Sequence, residues 1–203
     1  MLAGDRSEIR FVQAELHVKV WIASPPTVDE VRPGRCPVCG AAGRPLGGQL
    51  GLHGHGLRER HQWGPAELGA VPAVIALLLR RYQCQPCGAV VVVGPRGLLR
   101  RRLYSAGAVA VALALYGLAA LPPAEVRRRV SPLQVVGATA AAGWASLRRW
   151  CRAVRAGRIF LEVRALPPEA TLREVAARAA TTLAAYGPGG VPLESAAFLG
   201  ASM

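Results

Sequence analysis

Two short hooks constrain this chain more than anything else in it: Cys36-Pro37-Val38-Cys39-Gly40 and Cys84-Gln85-Pro86-Cys87-Gly88. A tight turn with cysteines three apart aims both sulfurs at one point. The glycine that follows lets backbone amides turn toward those sulfurs. Two such hooks supply four thiolates, the tetrahedral donor set of a structural zinc ion. Cys36, Cys39, Cys84 and Cys87 are therefore the expected ligands, and Zn2+ the expected cofactor. The ion would join the ends of the 44 residues between Cys39 and Cys84. Two other readings use the same residues. A redox Cys-x-x-Cys needs one pair, at a helix start after a strand. Paired disulfides need an oxidising compartment, and residues 1–7, expected to be loose, lack the basic-then-apolar pattern of an export signal. A cytoplasmic location is the expectation.

Charge gives the next bound. The 203 residues suffice for one medium domain or two small ones. Lys and Arg number 25 against 12 Asp and Glu, a net charge of +13, and Lys19 is the sole lysine. Such a balance suits a polyanionic partner, most often nucleic acid. A GC-rich genome accounts for arginine in place of lysine; it does not account for so few acids. Asp5 and Asp29 are the only aspartates, and Glu125, Glu162, Glu169, Glu174 and Glu194 are scattered. Metal-dependent nucleases and transposases hold two metals with clustered carboxylates. Neither a phosphate-binding glycine loop nor a Gly-x-Ser-x-Gly elbow is present. The chain by itself is expected not to be an enzyme.

The stretch Glu8 to Ile22 reads as a strand or hairpin ending at Pro25-Pro26, followed by a loop from Thr27 to Arg35. Leu52 to His61 reads as a short strand carrying His53, His55 and His61. Substitution of a histidine for one cysteine is one reading of these residues. Because four cysteines already complete a tetrahedron, the favoured reading has the imidazoles bond to backbone or cap the site. Val74 to Tyr82 runs into the second hook, and Ala89 to Val93 is a β-branched run that Gly94-Pro95 should stop. Strand, hook, strand is the hairpin of a zinc ribbon. Arg96, Arg100, Arg101 and Arg102 then form either a solvated linker or an arm that contacts phosphates.

Ser105 to Ala124 carries no charge. It is long enough to raise a membrane span, but it is mostly alanine and glycine, ends at Pro122-Pro123, and has arginines on both sides. A buried core helix capped by Ser105 is expected, with no membrane as partner. Pro122-Pro123 opens a short helix to Val130. Ser131-Pro132-Leu133-Gln134 fits a capping box, with Gly137 ending that turn. Thr139 is placed to cap a longer helix through Arg155, with Gly157 as its stop. On that helix Trp144, Leu147, Cys151 and Val154 share one face, with Trp150 at its edge. Arg148, Arg152 and Arg155 share the adjoining arc, and Arg149 lies beside them. Short helices before an arginine-faced one are the layout of a helix-turn-helix unit. An amphipathic helix with a merely solvated basic face is the alternative. Cys151, mid-stripe, is read as core. Ile159 to Val163 fits a short strand or a helix continuation. Thr171-Leu172-Arg173-Glu174 is a second capping box opening a helix to about Tyr186, and residues 187–203 read as a flexible tail.

The expected class is α+β: a small β zinc ribbon followed by an all-α helix-turn-helix bundle. The expected segments are an N-terminal strand or hairpin (1–34), a four-cysteine ribbon (35–103), a helical domain (104–157), and a C-terminal helix with its tail (158–203).

The order of motifs resembles a known arrangement. It runs Cys36-Pro-x-Cys-Gly, His53-Gly-His-Gly-x-x-Glu-Arg, Arg80-Arg-Tyr-x-Cys-x-x-Cys-Gly, Arg100-Arg-x-x-Tyr-Ser, and Leu147-Arg-Arg-Trp. Over roughly residues 20–155 it is similar to the N-terminal zinc-ribbon and helix-turn-helix region of insertion-sequence transposases. It is closer to a family of uncharacterised bacterial proteins that carry this region alone. The resemblance implies zinc on Cys36, Cys39, Cys84 and Cys87, and DNA recognition by the Trp144–Val154 helix. No catalytic acidic domain follows, which sets this chain apart from complete transposases. DNA is thus the expected partner, through Arg148, Arg149, Arg152 and Arg155 on the helix and Arg100, Arg101 and Arg102 on the arm. A separate transposase, or a second copy docking through the C-terminal helix, are further partners this reading allows. The rival readings are a protein-interaction adapter and a transposase remnant.

Overall fold

The computed structural model describes residues 10–135 and 143–202. The fold is mixed α and β: a four-stranded open sheet and helices. The chain divides into two compact units, one of Met1–His61 with Ala76–Arg100, the other of Gln62–Ile75 with Arg101–Met203. This grouping differs from a linear division at residues 34, 103 and 157. The N-terminal strand joins the cysteine hooks in one unit, and the C-terminal helices belong with the central ones in the other.

The first unit holds most of the sheet. The strands are β1 (Arg10–His17), β2 (Leu52–Gly64), β3 (Ala73–Cys84) and β4 (Val90–Arg96), in the order β1-β4-β3-β2. Residues 62–64 of β2 and 73–75 of β3 fall in the second unit. β4 is antiparallel to β3, from Arg80 opposite Val93 to Gln83 opposite Val90. β1 lies parallel to β4, with Arg10 opposite Val91 and Gln13 opposite Gly94. The Val90–Val93 run sits between two strands, and Val91, Val92 and Val93 are all buried. A run covered on both faces has no reason to alternate with polar residues. Gly94-Pro95 does not stop β4, which continues to Arg96. A Cβ at Gly94 would lie 3.0 Å from the Phe11 ring and from Leu98, so glycine lets the strand pass beneath them without displacing either side chain. Pro95 falls beyond the β3 pairing and within an irregularity of the β1 register, where its missing N–H leaves no ladder bond broken.

β1 is not one half of a hairpin. After His17 the chain turns into a short helix, α1 (Val18–Ala23). Val18 and Trp21 are buried whereas Val20 and Ile22 are exposed. Burial three residues apart is helical spacing, and it outweighs the β propensity of Val and Ile. Trp21 fills the core beside Tyr82, Leu52, Val91 and Val93, and its indole N–H donates to the Leu78 carbonyl at 2.9 Å.

The second unit is helical: α2 (Ala106–Gly117), α3 (Pro123–Val130), α4 (Ala145–Arg155), α5 (Leu172–Ala184) and α6 (Leu193–Gly200). The Ser105 hydroxyl accepts from the Ala108 amide at 3.0 Å and caps α2. Every residue of α2 from Ala106 to Leu115 is buried. At 12 residues α2 is too short to span a bilayer, and no helix among the described residues is long and apolar enough to do so. The Thr171–Glu174 capping box opens α5 as the sequence indicates.

Four expectations fail here. Residues 131–135 are not helical; Ser131 ends α3, and its hydroxyl accepts from the Leu133 amide at 3.2 Å. Thr139 and Gly137 lie outside the described residues, but Gly143 and Trp144 are described and non-helical, so α4 starts at Ala145. Ile159 to Val163 forms turns, with Ile159 and Phe160 buried. The segment expected as a flexible tail carries α6, whose Ala196, Ala197 and Phe198 are buried. α6 packs against α2 and α5.

The α2, α5 and α6 helices pack closely because their contacts are small. A Cβ at Gly117 would stand 2.2 Å from the Ala177 amide nitrogen, and one at Gly107 would stand 2.8 Å from the Phe198 ring. Alanine in a helix is ordinarily about 1 kcal/mol better than glycine. At Gly117 the sign should reverse, because the added methyl meets backbone. Gly117→Ala is expected to destabilise the protein by about 1–3 kcal/mol, read as a lowered urea midpoint. An unchanged or raised midpoint would refute the close approach of α2 to α5.

Candidate functional site

The two hooks adopt the same backbone. In the first, the Cys36 amide donates to the Ala41 carbonyl at 2.8 Å, and the Gly40 amide to the Cys36 carbonyl at 2.9 Å. In the second, the Cys84 amide donates to the Ala89 carbonyl at 2.9 Å, and the Gly88 amide to the Cys84 carbonyl at 2.8 Å. Gly40 and Gly88 have φ of 74° and 72°, the left-handed region that residues with a Cβ avoid. The Val38 amide turns back to the Cys36 sulfur at 3.4 Å. Each glycine thus closes a turn that leaves amides facing sulfur.

The hooks meet sulfur to sulfur. Cys36 Sγ lies 3.8 Å from Cys87 Sγ, and Cys39 Sγ 3.6 Å from Cys84 Sγ. All four sulfurs are within 4.8 Å of one another. A disulfide would bring two sulfurs to about 2.05 Å, and all five cysteines of the chain are free thiols. A metal–sulfur distance of about 2.3 Å in a tetrahedron gives sulfur–sulfur edges of about 3.8 Å. The donor set therefore fits one tetrahedral ion between the hooks. Neither hook opens a helix; both join strand or turn backbone, which differs from the setting of a redox pair.

Each hook places one cysteine in the core and one outside it. Cys36 and Cys84 are buried with Trp21, Val31, Leu52 and Tyr82; Cys87 is half-buried and Cys39 exposed. Burial opposes charge on Cys36, but hydrogen bonds from the amides of Cys39 and Val38, together with those from the Cys84 and Cys39 thiols, outweigh it and bring its pKa to about 7. Burial pushes Cys84 and Cys87 above the ordinary thiol value. Four adjacent thiolates repel each other, and a cation is what lets them ionise together. Cys151 stands apart on α4, buried, its thiol raised by burial to about 11.

The three candidate histidines do not join this cluster; among the described residues it comprises the four cysteines alone. All three project from β2 and are exposed. His53 bonds the Leu50 carbonyl at 2.8 Å, and His61 lies 3.4 Å from Glu59.

The arginines separate into groups. On α4, Leu147, Trp150, Cys151, Ala153 and Val154 are buried, and Arg148, Arg149, Arg152 and Arg155 are exposed. Arg155 donates to the Ala170 carbonyl. Arg100 and Arg101 are exposed and Arg102 is half-buried. The second unit brings Arg149 to a cleft of about 250 Å3 that Arg101, Arg102 and Arg127 also line. Its floor is aromatic. Tyr104 makes edge contacts with Trp63, Trp144 and Trp150 at centroid distances of 5.6, 5.7 and 4.9 Å. Arg148, Arg152 and Arg155 are not among its lining residues.

No protein-family model, curated protein or solved structure matches the chain. The site must be read from its own geometry.

Sequence reasoning missed Trp63, Arg127 and Ser131 as neighbours of Arg149. Nothing in their spacing signals it, because they come from β2, the end of α3 and α4, and only the fold unites them.

One metal ion per chain is expected, bound by four thiolates. Cobalt in its place should give the intense thiolate-to-metal absorption of a sulfur-rich tetrahedral site. Cys36→Ser or Cys84→Ser should abolish stoichiometric binding and unfold the first unit, and Cys151→Ser should leave stoichiometry unchanged. A metal-free preparation with an intact sheet by circular dichroism would overturn this assignment.

Proposed function

We propose that the protein is a zinc-dependent DNA-binding protein, built as a four-cysteine zinc ribbon with a helix-turn-helix-like unit in which α4 is the recognition helix. The observation that carries the reading is α4 itself. Its apolar face is buried through Leu147, Trp150, Cys151 and Val154, and its opposite face presents Arg148, Arg149 and Arg152 to solvent. A helix so fixed cannot rotate its arginines away, and an α-helix fits the major groove, where arginine bonds guanine through two contacts. The net charge of +13 supplies the long-range attraction that phosphate binding requires.

The ribbon reading rests on β3, the second hook and β4 forming an antiparallel hairpin that the first hook faces across the sulfur cluster. Zinc is favoured over other ions by the all-thiolate tetrahedral set. The link to transposase N-terminal regions rests on the motif order alone. In this reading the chain binds DNA without cutting it, as a regulator of an element or an assistant to a separate transposase in the cytoplasm.

Selection of bound sequences from a random DNA pool tests the proposal. A defined site should emerge. Arg148→Ala and Arg152→Ala should then lose about 1–3 kcal/mol of preference for that site while keeping non-specific binding. Replacing Arg100 and Arg101 together with alanine should weaken all DNA about equally and lower the salt slope by roughly one unit per lost phosphate contact. Absence of any salt-sensitive DNA binding would favour a protein-interaction adapter instead. Metal-dependent strand cleavage lost on a Glu→Gln change would overturn the non-catalytic reading.

A further inference from the structure

The cleft in the second unit differs from the other basic surfaces of this chain. Guanidinium groups from three places in the sequence line it: Arg101 and Arg102 before α2, Arg127 on α3, and Arg149 on α4. Among the described residues, no aspartate or glutamate lines the cleft. The Arg127 Nε is buried and has no hydrogen-bond partner among the described residues.

Neutral donors and apolar surface complete the lining. The Tyr104 and Ser131 hydroxyls bond each other at 2.8 Å at the cleft. Backbone bonds fix its wall. The Trp63 amide donates to the Leu103 carbonyl at 2.8 Å, and the Ser105 amide to the Trp63 carbonyl at 3.2 Å. Trp144 and Trp150 are packed edge to face at 4.8 Å and buried, whereas Trp63 is half-exposed. The aromatic contacts pack the rings that line the cleft against one another and leave the Trp63 indole partly at the surface.

We infer that this cleft is a phosphate-binding subsite for the DNA backbone, in which Arg101, Arg127 and Arg149 hold one phosphodiester and Trp63 flanks the adjoining sugar. A phosphodiester offers two charged oxygens, which suits converging guanidinium groups better than a single point charge does. A half-exposed indole beside them suits a nucleotide, whose sugar and base are apolar next to their charge. The inference rests on the DNA-binding reading and refines it. Arg149 is a phosphate contact and belongs with Arg101, although it sits on α4 next to Arg148.

The experiment uses the full, metal-loaded chain and a short duplex of arbitrary sequence. Binding is followed by anisotropy of labelled DNA, and in parallel by tryptophan fluorescence. Three of the four tryptophans, Trp63, Trp144 and Trp150, line the cleft, so DNA should change the emission of the wild-type protein, and less so in Trp63→Phe. Arg149→Gln should weaken selected and arbitrary DNA by the same factor and lower the salt slope by about one unit. Arg101→Gln should do the same. The double variant should lose less than the product of the two single losses, because both side chains hold one phosphate. Arg178→Gln removes the same charge from an exposed position on α5, away from the cleft, and controls for net charge. All variants are compared at matched metal content and matched unfolding midpoint.

If the wild type binds DNA but Arg149→Gln loses only the selected site, Arg149 reads bases and the inference falls while the DNA-binding proposal stands. If the Arg101 and Arg149 losses multiply independently, the shared phosphate is wrong. If inorganic pyrophosphate or a mononucleotide changes the fluorescence and DNA does not, the cleft serves a small free anion and the DNA assignment is overturned. If the wild type binds no DNA at all, the proposal for the whole protein fails and this subsite fails with it.

Discussion

Everything in the first unit depends on holding four sulfurs within a few ångströms of each other. Like charges at that distance repel strongly, and two of the four, Cys36 and Cys84, are buried among Trp21, Leu52 and Tyr82. Protein alone offers the cluster a handful of backbone amides, such as that of Val38. These bring down the pKa of Cys36, whereas Cys84 and Cys87 stay raised by burial. A cation would supply the missing charge. A metal ion between the hooks would tie residues 36–39 to residues 84–87, the two ends of a segment that includes β2 and most of β3. Closing so long a loop would remove much of the freedom of the unfolded chain, and metal affinity would become folding free energy.

The surroundings of the hooks are built to keep that geometry. Tyr82 lies two residues before Cys84, and its hydroxyl donates to the Val28 carbonyl at 2.6 Å. Arg32 stacks over the Tyr82 ring at 5.7 Å and donates to the Leu52 carbonyl and to Asp29. The Gln85 amide, within the second hook, donates to the Gly51 carbonyl at 2.9 Å. The loop from Thr27 to Arg35 is thereby fastened to β2 and β3, and the second hook to Gly51 just before β2. Asp29, one of only two aspartates, is used here to orient Arg32 and Arg44, far in chemical purpose from a catalytic acid.

What could be read from the sequence was whatever local chemistry determines. The four-cysteine cluster, the Ser105 cap of α2 and the Thr171–Glu174 capping box each follow from residues a few positions apart. The strand-hook-strand hairpin was legible for the same reason, since β-branched residues flank the second hook on one side and leucines on the other. What was misread needed tertiary information. The Val18–Ala23 stretch has strand composition, but Trp21 has a core position that only a helical turn reaches. Gly94-Pro95 looks like a stop, yet β4 passes through it because Phe11 covers the glycine and no ladder bond needs the proline N–H. Residues 187–203 open on Gly187, Pro188, Gly189 and Gly190 and read as a tail, yet Ala196, Ala197 and Phe198 are buried and α6 packs on α2 and α5. A poly-alanine surface carries little periodic signal, because its packing depends on close approach instead of bulk.

The same logic separates the arginines. Sequence spacing groups Arg148, Arg152 and Arg155 by helical arc and Arg100 to Arg102 by adjacency. The fold groups them by environment. Arg155 is held by the Ala170 carbonyl, so its position on the arc does not make it equivalent to Arg148 and Arg152. Arg149 leaves the arc for a cleft that it shares with Arg101, Arg102 and Arg127. A guanidinium on an open helix face can turn to meet a base edge. One at a cleft shared with other guanidinium groups is placed to meet an oxyanion. On the DNA-binding proposal, reading bases and holding phosphate would fall to neighbouring residues of one helix, because burial of Trp150 and Leu147 fixes the helix on the core.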